Sequence, residues 1–366
     1  MPFEKGSVSF RIYIASELPE DAVERFAANA IPPLNTLAQE ELHGWVAGRH
    51  LLDREINEHS AYQGGYLRLT LTKAIKKIPS SLLNAECAME EVAYMEAEGV
   101  EFVNQTARRE IKENVRERLL PEMPPQLQGI DFVFDPASNF LYSTATSESQ
   151  TEAFQLNYLS TVGQGVEPAD PFGLALRMFH KDVRDWAPVS FSPEVEAGMC
   201  DGNAGREFMM WLWYTAENNL GGVDIENVGT IALNFEGPLM LVNEGGGAHE
   251  TVVKKGNPMG SSETKAALLA GKMLKRAKIN MAMGEQVWSY TMDADEFKFS
   301  GMKLPPTESY DAASRFAERM VHIDMFRKIF FGFFKLFVDE RTNGEKWAET
   351  VKAMREWVAE RPAAKN

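Results

Sequence analysis

Between Lys254 and Lys278 the chain carries seven basic residues (Lys254, Lys255, Lys265, Lys272, Lys275, Arg276 and Lys278) and one acid, Glu263, a local excess of +6. The whole chain sums to −15, from 38 Lys and Arg against 53 Asp and Glu. Cations gathered in this way suit a polyanion, because phosphate contact depends on local potential and not on net charge. A second cationic set surrounds a helical segment. Lys73, Lys76 and Lys77 lead into it, and Arg108, Arg109, Lys112 and Arg116 lie within it. The acidic total excludes a uniformly basic coat, so any nucleic-acid contact must be a local positive surface on an acidic body.

Signals for catalysis are weaker. Gly256 and Gly260 precede Ser261 without a G-x-x-x-x-G-K-[ST] pattern, and Ala270-Gly271-Lys272 lacks the upstream glycine. Gly245-Gly246-Gly247 has no G-x-G-x-x-G around it and reads as a flexible turn. His43, His50, His180, His249 and His322 form no i,i+4 pair. Glu90 with Glu91, or Asp293, Asp295 and Glu296, could serve a magnesium-dependent nuclease, or could simply be solvated acids. Cys87 and Cys200 are far apart in sequence, which favours a reduced, cytosolic compartment over disulfides or structural zinc. No cofactor, no metal and no enzyme class follows from these residues.

The elements that must position the cations can be read from periodicity. At 366 residues and 44% hydrophobic content the chain can bury a large core in two or three lobes. Met1 to Gly6 lacks the apolar stretch of a signal peptide, and no window reaches the roughly 18 to 20 apolar residues of a membrane span. The most apolar run, Ile329 to Val338, contains Lys335 and reads as a buried core helix. Val8, Phe10, Ile12 and Ile14 alternate with Ser7, Ser9, Arg11 and Tyr13, as in a half-buried strand. Helices follow near 19–30 and 34–42, and Gly44-Trp45-Val46 closes that unit. Tyr66 to Thr72 alternates again with Leu67, Leu69 and Leu71 inward.

The spacing then predicts an arm of two helices, capped at Ser80 or Ser81 and stopped at Gly99, then running from about Thr106 to Leu120. On the second helix Ala107, Ile111, Val115 and Leu119 form an apolar stripe beside Arg109, Lys112 and Arg116, with Glu110, Glu113 and Glu117 on the remaining flank. Such a helix is either a surface helix laced with i,i+4 ion pairs or one cationic edge facing a polyanion, and spacing alone leaves both open. A hairpin at 130–142 and an amphipathic helix at 150–160 complete an antiparallel sheet with helices on one face. Gly163 to Asp170 is the passage into a second lobe. That lobe has helices near 172–179 and 205–218, the latter with Trp211, Trp213 and Tyr214 as core or interface aromatics. Strands at 229–235 and 239–243 follow, then a helix capped at Ser261 or Ser262 with Lys265, Lys272 and Arg276 on one side. A meander at 279–299 and long helices at 310–339 and 345–360 close the chain. The fold class is therefore α+β: an antiparallel sheet lobe with an inserted two-helix arm, plus a second mixed lobe with long C-terminal helices. The expected domains are 1–72 with 125–165, the arm 73–124, and a base domain 166–366.

This order of segments resembles the recombination-associated RdgC family of bacterial proteins. The resemblance is carried by Phe10 to Tyr13, Gly44-Trp45-Val46, the passage Leu69 to Pro79 into the arm, Arg116 to Pro121 and the hairpin Ile130 to Ala145. It continues in Ala270-Gly271-Lys272 with the following meander and in Arg315-Phe316-Ala317. The resemblance implies a non-enzymatic homodimer shaped as a ring, closed at the arm tips and the base lobe. Double-stranded DNA would pass through a positively lined hole without sequence readout, with single-stranded DNA a second ligand. It also implies antagonism of a RecA-type recombinase and a cytoplasmic, nucleoid-associated location, with no membrane partner. Lys254 and Lys255 match a basic pair in the family's second lobe. The chain departs from the family in a longer 204–261 region, in the acids Glu86, Glu90, Glu91, Glu96 and Glu98 on the first arm helix, and in Glu122-Met123-Pro124-Pro125 after it. The rival readings are a metal-dependent DNA-processing enzyme and a protein-binding scaffold without DNA.

Overall fold

The structure, a computed structural model, describes residues 2–34, 41–200, 202–243 and 249–361. The first part runs β1 (Val8–Ile14), α1 (Ala22–Ala28), β2 (Glu41–Ala47), α2 (Glu58–Ala61), β3 (Tyr62–Gln63), β4 (Tyr66–Ile75), α3 (Ser80–Glu98), α4 (Gln105–Leu119), β5 (Gln126–Asp135), β6 (Phe140–Ser143) and α5 (Glu148–Val162). The second runs β7 (Glu167–Pro168), α6 (Pro171–Phe179), α7 (Ala204–Asn218), β8 (Val223–Ile225), β9 (Gly229–Val242), β10 (Glu250–Val253), α8 (Ser262–Leu269), β11 (Met273–Met283), β12 (Gln286–Asp293), β13 (Lys298–Lys303), α9 (Ala312–Thr342) and α10 (Gly344–Glu360). The α+β class is as expected, with long helices at the C-terminal end. The helix expected at 34–42 falls largely on residues outside those described, and Glu41 and Leu42 already belong to β2. The glycine turn at 245–247 also lies outside the described residues.

One antiparallel sheet runs through both parts in the order β10-β9-β11-β12-β13-β1-β6-β5-β4-β2. The strand at the seam is β1, which pairs with β13 on one edge and β6 on the other. The sheet therefore continues across the passage near 163–170.

Alternation along β1 sends its two faces into different cores. Phe10 and Ile12 join the large cluster under α9, where Phe10 meets Phe299 and Phe326. Tyr13 points the other way, against Phe154 of α5, in a cluster with Phe26, Trp45 and Phe132. Arg11 and Tyr13 are thus buried, and the expected half-buried strand is covered on both faces along most of its length. Helices also cover both faces of the sheet around β5 and β6, since Val133 and Tyr142 pack with the α9 cluster while Phe132 and Leu141 pack with α1 and α5. The expectation of helices on one face is corrected there, because α9 returns from the far end of the chain to cover the second face.

Gly44 in β2 shows why that segment tolerates no side chain. A Cβ there would lie 2.5 Å from the Ile31 Cα, where the chain crosses beside Trp45. Trp45 is fully buried, with its indole N–H donating to Thr161 Oγ1 at 2.8 Å. In α9 the apolar run 329–338 is core, as its composition indicated, while Lys335 reaches solvent and pairs with Asp339. Gly332 lets Ile225 press onto the helix backbone, since a Cβ would meet Ile225 Cγ2 at 2.2 Å. The aromatics of α7 are core: Trp211 and Trp213 are buried, and Trp213 stacks near Phe235.

The arm is α3 and α4, as the spacing predicted. Gly99 ends α3 in a left-handed conformation at φ +67°. Neither Ser80 nor Ser81 caps α3, since Pro79 stands at the cap position and offers no side-chain acceptor. Asn104 caps α4, accepting from the Ala107 N–H at 2.9 Å.

Candidate nucleic-acid interface

The cations singled out by sequence fall on three elements. At the arm root, Lys73 leaves β4 and forms an ion pair with Glu41 of the neighbouring strand at 2.5 Å. Lys76 donates to the Pro121 carbonyl at 2.9 Å and so ties the start of the arm to its end. Lys77 is exposed and has no polar partner among the described residues.

On the arm itself, α3 and α4 lie side by side and share charge. Arg108 pairs with Glu91 at 3.0 Å, and Arg109 pairs with Glu113 at 3.5 Å along its own helix. Arg118, which the sequence reading did not single out, reaches both Glu86 and Glu90 at 3.0 Å. The unusually acidic first helix is thus the counterion source for the basic second helix. Lys112 is exposed with no partner among the described residues, and Arg116 is exposed on the same helix. Ion pairs this exposed contribute about 0–1 kcal/mol each, so they hold the arm weakly but do lower its positive potential.

The third element corrects an expectation. Lys265, Lys272 and Arg276 do not share a helix, because α8 ends at Leu269 and Gly271 turns the chain at φ +79° into β11. Ser261 caps α8 as expected, accepting from Thr264 N–H at 3.2 Å. Lys265 donates to the Arg361 carbonyl at 2.6 Å, and Lys272 to Thr251 Oγ1 at 2.7 Å. From β11, Lys275 meets Asp295 at 2.8 Å, Arg276 meets Asp293 at 2.7 Å and Lys278 meets Glu236 at 2.6 Å. Burial pushes the Asp295 carboxyl up, but hydrogen bonds from Arg206 and Lys275 outweigh it and hold the group below the usual carboxylate range. Lys254 and Lys255, in the loop after β10, are exposed and have no partner among the described residues.

The structure therefore divides the expected DNA-contacting residues. Lys73, Arg108, Arg109, Lys275 and Arg276 already face carboxylates, as does Lys278 of the same cationic stretch, whereas Lys77, Lys112, Lys254 and Lys255 face solvent. The partner carboxylates Glu41, Glu91, Glu236, Asp293 and Asp295 lie on other elements, which a linear charge count cannot show. Among the described residues no group of three or more His, Cys, Asp or Glu converges as a metal site, and no helix is long and apolar enough to cross a membrane.

A two-helix arm inserted between neighbouring strands of an antiparallel sheet, with local cations on an acidic body, defines an α+β protein built around a projecting arm. Residues 7–172, from β1 into α6, match the family model described as "RdgC: Putative exonuclease, RdgC". Over 128 residues the chain is 32% identical to the Recombination-associated protein RdgC of Pseudoalteromonas atlantica, an alignment that takes in 35% of this chain and 40% of that relative. Over this first part the chain is similar to RdgC proteins, and the alignment spans less than half the length of that relative.

Proposed function

We propose that this RdgC-like chain binds double-stranded DNA without sequence readout, acts as a homodimer, and limits the access of a RecA-type recombinase to DNA. The observation that carries the reading is the match over 7–172, whose curated relative is named for recombination. The exposed ammonium groups of Lys254 and Lys255, with Lys77 and Lys112, which have no ion-pair partner among the described residues, support it as the cations best placed to exchange water for phosphate. Contacts of this kind fix no base sequence and weaken as salt rises.

The test is a titration of labelled duplexes of unrelated sequence at several salt concentrations. Replacing Lys254 and Lys255 with Glu should weaken binding equally on every duplex and, since the pair is present in both subunits, reduce the salt slope by about 4. Unaltered affinity and slope would remove this pair from the interface, and the absence of any shift on DNA would overturn the reading.

The family model's naming of an exonuclease favours a second reading, a DNA-processing enzyme, for which a metal ion would be the expected helper. Incubating end-labelled duplex with the protein and magnesium or manganese separates the two: shortened products support the enzyme, while intact DNA in a retarded complex supports the binding protein.

A further inference from the structure

We infer that the cleft between α5 and the β1–β13 seam is a binding site for a nucleoside monophosphate, with the phosphate on Arg11 and Lys298 and the base against α5. The inference stands independently of the duplex-binding reading. The cleft has a volume of about 950 Å³, and its walls include Arg11, Lys298, Glu296, Glu152, Gln155 and Leu156. That is ample for one nucleotide.

The phosphate end is built around a buried cation. The Arg11 side chain is only 8% exposed, its Nη1 lies 3.1 Å from Glu296 Oε2, and its Nε is enclosed with no hydrogen-bond partner among the described residues. Guanidinium presents five N–H donors in a fixed fork, and a buried donor left unmade costs about 1–3 kcal/mol. The guanidinium therefore keeps donor capacity beyond its pair with Glu296. Lys298 Nζ lies 3.2 Å from the same Glu296 oxygen, so one carboxylate oxygen is shared by two cations. A phosphate oxygen would sit in the same way. Glu296 is 47% exposed, whereas the side chains of Arg11 and Lys298 are 8% and 19% exposed, so the carboxylate is the more accessible member of the cluster. The turn carrying Glu296 is anchored on its other side by Asp295, which Arg206 grips through two hydrogen bonds of 2.7 and 2.8 Å. Asp170 also feels the charge of Arg11, but it is committed to the Gly173 N–H at 2.7 Å.

The other end is unsuited to a second phosphate. Glu148 and Glu152 line the cleft beside Gln155, so a continuous polyanionic backbone would be repelled. Carboxylate and carboxamide groups instead accept from the exocyclic amine and ring N–H of a base. Leu156 and Leu159, 59% and 47% exposed on the same helix, supply an apolar surface for the ring. A guanine offers the most N–H donors to such acids.

The experiment is calorimetric titration of the full chain with GMP, inorganic phosphate and guanosine, and with a short single-stranded oligonucleotide carrying or lacking a 5′-phosphate. We expect saturable one-site binding of GMP, weakened about tenfold or more by Lys298→Ala and strengthened several-fold by Glu296→Gln, which removes the competing carboxylate. Glu296 is well exposed and Lys298 less so, at 19%, and circular dichroism of the variants checks that both fold. Phosphate-dependent binding of the oligonucleotide would identify a strand end as the source, and binding of GMP alone a free nucleotide; either supports the site. No saturable binding of any probe up to about 10 mM, or binding indifferent to both substitutions, would overturn it. So would inorganic phosphate binding as tightly as GMP. The Lys254→Glu, Lys255→Glu protein should keep its nucleotide site whatever happens to its duplex affinity, so the two readings fail separately.

Discussion

The arm and the body use the same kinds of interaction in opposite proportions. In α3 no residue is fully buried, and the arm rests on a small cluster of Ile78, Val115 and Leu119 with partly covered neighbours such as Leu82, Leu83 and Ile111. In α9 fourteen residues are buried, most of them aromatic or branched apolar, which makes this helix the spine of the larger core. Ion pairs follow the same division. Those of the arm lie in solvent, whereas Arg206 and Arg341 in the body hold Asp295 and Glu207 with side chains almost wholly covered. Stability is therefore expected to be uneven, with the arm opening locally at a free energy well below that of the body.

The sharpest test of this contrast is in the body. Phe330 packs against Phe297, Phe299 and Phe208, and Phe330→Ala should destabilise the whole molecule by about 3–5 kcal/mol, read as a lower denaturant midpoint. Next comes Arg206→Met, which leaves Asp295 buried with only Lys275 and should cost about 3 kcal/mol in the same assay. Leu119→Ala should cost about 2 kcal/mol but act locally. Hydrogen exchange should accelerate across α3 and α4 while amides of β11 and β12 remain protected, and uniform acceleration would show that arm and body unfold together.

A smaller effect concerns pH. Burial raises the Glu207 carboxyl to about 7, against the attraction of Arg341. Because the folded value lies above the unfolded one, the folded state holds the proton longer, so this group's contribution falls as pH rises from about 4.5 to about 7. Glu207→Gln should flatten the stability–pH curve in that window. The least disruptive change is Glu90→Gln in the arm, which removes one of the two carboxylates on Arg118. It should shift stability by less than about 0.5 kcal/mol while raising affinity for duplex DNA if the arm touches it.

Much of the framework was legible because it is written in local periodicity. The arm helices, the strand from Tyr66 to Thr72, which the structure extends to Ile75, and the aromatic helix at the C-terminal end all follow from spacing and stop signals. Two features required the tertiary structure. The run from Lys265 to Arg276 reads as helical by composition, yet pairing of β11 with both β9 and β12 makes its second half a strand. The fate of each cation was equally hidden, since Lys278 meets Glu236 and Lys73 meets Glu41 across strands and not along them. Arg11 was visible as the charged member of an alternating strand, but nothing nearby indicated that α5 would roof it over.

The position of β1 has a consequence for how the molecule is made. Its partner β6 leaves the ribosome early, but β13 is translated only after most of the chain has emerged. The Tyr13–Ile14 end of its second edge is taken early by β7, but the stretch from Val8 to Phe10 must wait until β13 closes the sheet from the far end. Closure of that seam is a long-range event, which makes it a slow step in folding and the interval in which a nascent chain is most exposed to pairing with a neighbour.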